Sequence, residues 1–195
     1  MEKTAVQKLA GVLRILVTVT FVCNLLALPL VAGLCRLRGA AELLEGVGYF
    51  AARGEGAPVI ALRMAGYFLA SWTELWQLGE RYAQVLTLFL LFCGACTAVI
   101  LWQGRRVLGT ILAGSPFQRS NGVSLRRAGV CCFAISAAAL VRLIWGLAYY
   151  RTIEPLLSYN ALFVPAFFMA GLLCLVVSAL FRQAAELKAE NDLTI

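Results

Sequence analysis

The chain has 195 residues, 62% of them apolar and 14% charged, and a mean hydropathy of +0.84. That composition lies outside the range of soluble globular domains and points to an integral membrane protein. A net charge of +7 and a pI near 9.3 could signal nucleic acid, but the basic residues mostly flank apolar runs, no free basic stripe interleaved with aromatics occurs, and direct nucleic-acid binding is not expected. The lipid bilayer and its anionic headgroups are the expected surroundings, each nearby Lys or Arg contributing about 1 kcal/mol at a negative surface. Histidine is absent, which removes the commonest general base and the commonest zinc ligand.

The polar start MEKTAVQK leads into an apolar run over residues 9–34, interrupted by Arg14, Thr18, Thr20, Asn24 and Pro29. The run exceeds the 7–15 residues of a signal-peptide core and reads as the first span. Asn24 and Pro29 are tolerable there if they face other helices. Residues 36–82 follow, with balanced charge and a break at GEGAP (54–58). Ala41, Leu44, Val47 and Ala51 before the break, and Ile60, Met64, Phe68, Trp72, Leu75 and Trp76 after it, recur at helical spacing. Two amphipathic helices on the outer face are expected, the second with the aromatic content of a membrane interface. Further spans are expected at about 83–103, 128–149 and 161–181, each near the 20 residues needed to cross about 30 Å of hydrocarbon. The expected fold is therefore all-α, a membrane four-helix bundle in a single domain.

Residues 104–127 separate spans two and three and carry Arg105, Arg106, Arg119, Arg126 and Arg127 with no acidic residue. A short stretch so charged stays on the cytoplasmic side, so both termini and the 182–195 tail are expected there too. Val107, Leu108, Ile111 and Leu112 have the spacing of a short helix lying on the inner leaflet. Gly114, Ser115 and Pro116 would stop it, and Ser120 or Asn121 would cap the third span. The loop is either a basic turn that sets topology or also a docking surface for a cytosolic protein.

Arg142 is the one charge well inside a predicted span, at a cost on the order of 2–3 kcal/mol if dry. It either snorkels outward past Trp145 and Tyr149 or pairs with a carboxylate such as Glu74, Glu80 or Glu154. Cys93 and Cys96 spell CGAC, a redox spacing, but a thiolate is disfavoured in an uncharged span, so packing is the expected role. Cys131 and Cys132 are neighbours on one helix and cannot share a partner. No disulfide is expected. Glu186 and Glu190 read as ordinary charge on a solvated tail, and Gly171 and Ser178 as sites of close helix packing. No phosphate-cradling loop, nucleophile elbow or paired-carboxylate site occurs.

The run GSPFQRSNGVSLRRAG (114–129) and the end ENDLTI (190–195) resemble the bacterial four-helix membrane family known as domain of unknown function 2975, in which a similar Gly-x-Pro-Phe turn precedes span three. The resemblance covers the whole chain in order of elements. It implies a bacterial plasma (inner) membrane protein without assigned activity, of a family whose members are often encoded beside a small helix-turn-helix regulator, and it brings no catalytic residue; no cofactor is expected. The matching positions are Gly114, Pro116, Phe117, Asn191, Asp192, Leu193, Thr194 and Ile195. The expected function is a non-enzymatic membrane partner of such a cytosolic regulator, docking it through Gly114, Pro116, Phe117, Arg119, Asp192, Leu193, Thr194 and Ile195. The alternatives are a small transporter or channel subunit using Asn24 and Arg142, and a membrane thiol oxidoreductase.

Overall fold

A computed structural model describes residues 5–36, 40–77, 81–115 and 117–192, and all of its regular structure is helical. Helix α1 (Ala5–Ala27) passes through a 3-10 turn (Leu28–Leu30) into α2 (Val31–Arg36). Then come α3 (Ala40–Ala52), α4 (Ala57–Gln77), α5 (Arg81–Leu112), α6 (Arg119–Tyr150), a second 3-10 turn (Glu154–Leu157) and α7 (Tyr159–Asp192). Four stretches are long and apolar enough to cross a membrane: Gln7–Cys35, Arg81–Leu112, Arg119–Tyr150 and Tyr159–Asn191. Large apolar side chains on them point outward, among them Ile15, Val141 and Leu173, as a lipid-facing surface requires and a water-facing one avoids.

The last three of these helices overrun their expected spans. At 1.5 Å per residue, a 32-residue helix such as α5 or α6 is about 48 Å long, well beyond the hydrocarbon thickness. The expected loop at 104–127 is therefore mostly helix: α5 continues to Leu112 and α6 starts at Arg119. The separate short helix expected around Val107 and Leu108 is instead continuous with α5, and both residues are buried. Arg and Leu are good helix formers, and no proline interrupts the chain between residues 81 and 115.

The chain divides into two compact units, Leu25–Phe92 and the remainder (Met1–Asn24 with Cys93–Ile195). Within the first, Pro29 lacks an N–H and interrupts the helical ladder. Its carbonyl accepts a hydrogen bond from Trp72 Nε1 at 2.7 Å, which ties α4 to the break. A Cβ at Gly33 would collide with Phe68, whose Cα would lie 2.8 Å away, so α2 and α4 meet where only glycine fits. Ala32, Leu75 and Ala83 form the buried centre, with Trp72 packed against it. The break at residues 54–58 is present: Gly54 takes φ +75°, its N–H bonds to Ala51 O and that of Glu55 to Phe50 O. Arg63 Nε meets Glu55 Oε2 at 2.9 Å across the same corner. Val47, Ile60, Met64 and Phe68, all from the expected helical stripes, line one apolar recess between α3 and α4.

Candidate functional site

The turn between α5 and α6 begins at Gly114, with φ +75°. Gly114 N–H bonds to Ile111 O and Ser115 N–H to Thr110 O, both at 3.1 Å. This pairing closes the exposed carbonyls of a helix end and places its reversing residue in the left-handed region, where glycine carries no steric penalty. Helix α6 starts after Gln118, whose extended backbone (φ −115°, ψ 141°) occupies the capping position without a side-chain bond to the helix. Ser120 and Asn121, expected as caps, lie inside the first turn. Asn121 is instead 2% exposed and donates from Nδ2 to Thr110 Oγ1 at 2.7 Å, joining α5 to α6. Thr110 Oγ1 in turn donates to Val107 O.

Helices α6 and α7 run antiparallel along a seam of small residues. Gly122, Gly129 and Ser136 recur every seventh residue on α6 and face Ser178, Gly171 and Val164 on α7. Ser178 Oγ donates to Gly122 O at 2.6 Å, and Ser136 Oγ donates to Val164 O at 2.8 Å. A Cβ at Gly129 would lie 3.2 Å from Gly171 O, so the two backbones are in near contact, as small-residue packing between membrane helices permits. Gly171 and Ser178 thus pack closely, as read from the sequence; their partners on α6 were not anticipated.

This seam carries the inter-helix turn onto the end of α7. The Phe117 ring lies 6.2 Å from that of Phe181, and Arg119 Nη2 lies 3.6 Å from Glu186 Oε1. Glu186, read from sequence as plain surface charge, therefore has a cationic partner. Phe117 remains 53% exposed and the Arg119 side chain 72%. An ion pair so open to solvent contributes 0 to about 1 kcal/mol and leaves the guanidinium accessible. Pro116, Leu193, Thr194 and Ile195 lie outside the described residues, as does the side chain of Asp192.

At the other end of the seam, Arg142 Nη1 donates to Asn160 Oδ1 at 3.3 Å, and Asn160 Nδ2 donates to Ala139 O at 3.3 Å. Asn160 is 9% exposed and was not singled out from the sequence. All seven cysteines are free. Cys131 is within hydrogen-bonding reach of Cys96, and Cys132 of Cys174, so the adjacent pair serves two different neighbouring helices.

The model of the family described as "Protein of unknown function (DUF2975)" matches residues 4–195. The chain belongs to that family. No curated protein and no solved structure matches it. The DUF2975 description names no activity, so the assignable roles in this DUF2975 chain come from its own geometry: Phe117 and Arg119 set against Phe181 and Glu186, and Arg142 bound to Asn160.

Proposed function

We propose that this DUF2975 protein is a non-enzymatic, multi-pass protein of the bacterial inner membrane that docks a cytosolic partner, a helix-turn-helix transcriptional regulator. In this reading the four long helices form a membrane bundle, α3 and α4 lie as amphipathic helices on the outer face, and both termini and the α5–α6 turn are cytoplasmic. The five arginines of residues 104–127, with no acidic residue among them, support that orientation.

The observation that carries the proposal is the meeting of the turn with the end of α7, where Phe117 and Arg119 stay exposed beside Phe181 and Glu186. Phenylalanine and arginine are among the residue types enriched at protein interfaces. Asp192, Leu193, Thr194 and Ile195, matched through the family resemblance, are proposed as members of the same docking set.

Crosslinking of the tagged full-length chain in its native membrane tests this. One cytosolic protein should be captured, and the Phe117→Ala/Arg119→Glu double variant should weaken its capture roughly thirty-fold, as expected for about 2 kcal/mol of hot-spot energy. Because both side chains are exposed, the variant should insert and melt like the parent. Capture undiminished by this variant and by deletion of residues 190–195 would overturn the proposal.

A further inference from the structure

Three arginines surround a cleft between α1 and α5 that no carboxylate among the described residues neutralises. Gly11, Arg14, Thr18 and Arg105 line a recess of about 450 Å³. Arg14 and Arg105 line an adjoining recess of about 250 Å³ with Arg106 and Trp102. None of the three guanidinium groups forms an ion pair among the described residues. The two helices meet here, since a Cβ at Gly11 would lie 3.9 Å from Leu112 Cδ2, and Phe21 and Trp102 have ring centroids 5.9 Å apart farther along.

The depth of the cleft is set by the chain. Residues 15–34 after Arg14 and residues 82–104 before Arg105 carry no charge. At 1.5 Å per residue, stretches of that size span about 30 Å, the hydrocarbon thickness, so the three cations sit where acyl chains give way to headgroups. Trp102 belongs at the same level, since indole rings concentrate at that boundary. Ile15 and Val19 also line the larger recess and are 66% and 55% exposed, giving the cleft an apolar flank directed into lipid.

We propose that this cleft is a binding site for the phosphate of an anionic glycerophospholipid, with the acyl chains lying over Ile15 and Val19. Guanidinium forks match phosphate oxygens in pairs, and basic pockets between membrane helices hold acidic headgroups. A free phosphate would meet the same arginines but leave the apolar flank uncovered. The site requires only that α1 and α5 cross the bilayer, so it stands or falls separately from the docking face.

The test uses the full-length protein in neutral detergent micelles, titrated separately with phosphatidylglycerol, phosphatidylcholine and inorganic phosphate. Phosphatidylglycerol should raise the melting temperature, whereas the other two should leave it unchanged. Each of Arg14→Gln, Arg105→Gln and Arg106→Gln should weaken the apparent phosphatidylglycerol affinity about five-fold, while Arg126→Gln/Arg127→Gln should leave it unaltered. A second readout needs no charge variant: phosphatidylglycerol with brominated acyl chains should quench the fluorescence component lost in Trp102→Phe more strongly than brominated phosphatidylcholine does. An equal shift with phosphatidylcholine would overturn the proposal, as would one with inorganic phosphate, which would mark a soluble anion as the ligand. Equal quenching by the two brominated lipids, or equal loss of affinity in the Arg126/Arg127 variant, would overturn it too.

Discussion

Gly129→Leu should pry α6 from α7 and destabilise the protein by about 3 kcal/mol, at the upper end of what overpacking a tight interior costs. Even the first added carbon would lie 3.2 Å from Gly171 O and 3.2 Å from Cys174 Cβ. One of these atoms is backbone and the other is fixed to it, so neither can swing aside and the helices must separate. Separation would also stretch the bonds from Ser178 to Gly122 O and from Ser136 to Val164 O. Gly104→Ala is the matching control. Nothing lies within 4 Å of a Cβ there, and alanine favours helix over glycine by up to about 1 kcal/mol, so this variant should melt at or above the parent temperature. Thermal unfolding of the purified variants in detergent checks both. A Gly129→Leu protein as stable as the parent would mean that the seam does not hold the pair together.

Asn160→Leu should destabilise by about 1–2 kcal/mol, more than an ordinary interhelical hydrogen bond in a membrane is worth on average, because two bonds end on one buried amide. Asn160 accepts from Arg142 and donates to Ala139 O, so leucine deprives a half-buried guanidinium of an acceptor in a medium with little water to replace it. Asn160→Asp should be milder, since a carboxylate still accepts from Arg142 and adds charge assistance, although it cannot donate to Ala139 O. A double-mutant cycle with Arg142→Leu isolates the shared term. If Asn160→Leu and Arg142→Leu add within about 0.3 kcal/mol, the two side chains are not coupled in the sense required here.

Much of this architecture is legible in the sequence. Apolar runs of about 20 residues announce the four membrane-length helices, and Gly54 and Gly114 mark real helix ends because each must enter the left-handed region. Hydropathy, however, reports only the part of a helix that sits in hydrocarbon. It cannot show where hydrogen bonding ends, which is why the stretch around Val107 to Leu112 reads as a separate short helix but continues α5. The same limit hid half of the α6–α7 seam: Gly122 lay in the supposed loop, so its seven-residue spacing with Gly129 and Ser136 went unread. Asn160 was missed for another reason. A charge inside a span directs attention to opposite charges, whereas a neutral amide on the next helix, 18 positions along, satisfies the arginine at no second ionic desolvation cost. The approach of Phe117 and Arg119 to Phe181 and Glu186 depends on the register of α6 against α7, which no single stretch of sequence encodes.

The central claim is that the α5–α6 turn faces the cytoplasm and the α6–α7 connection faces the opposite side. Ser115→Cys and Ser158→Cys, each introduced singly and compared with the parent chain, place a thiol on one connection or the other for reaction with a membrane-impermeant maleimide in intact cells. The account predicts added labelling at Ser158→Cys in intact cells and at Ser115→Cys only after the membrane is permeabilised. Labelling of Ser115→Cys in intact cells with Ser158→Cys protected would contradict it and place the Phe117–Arg119 face outside the cytoplasm.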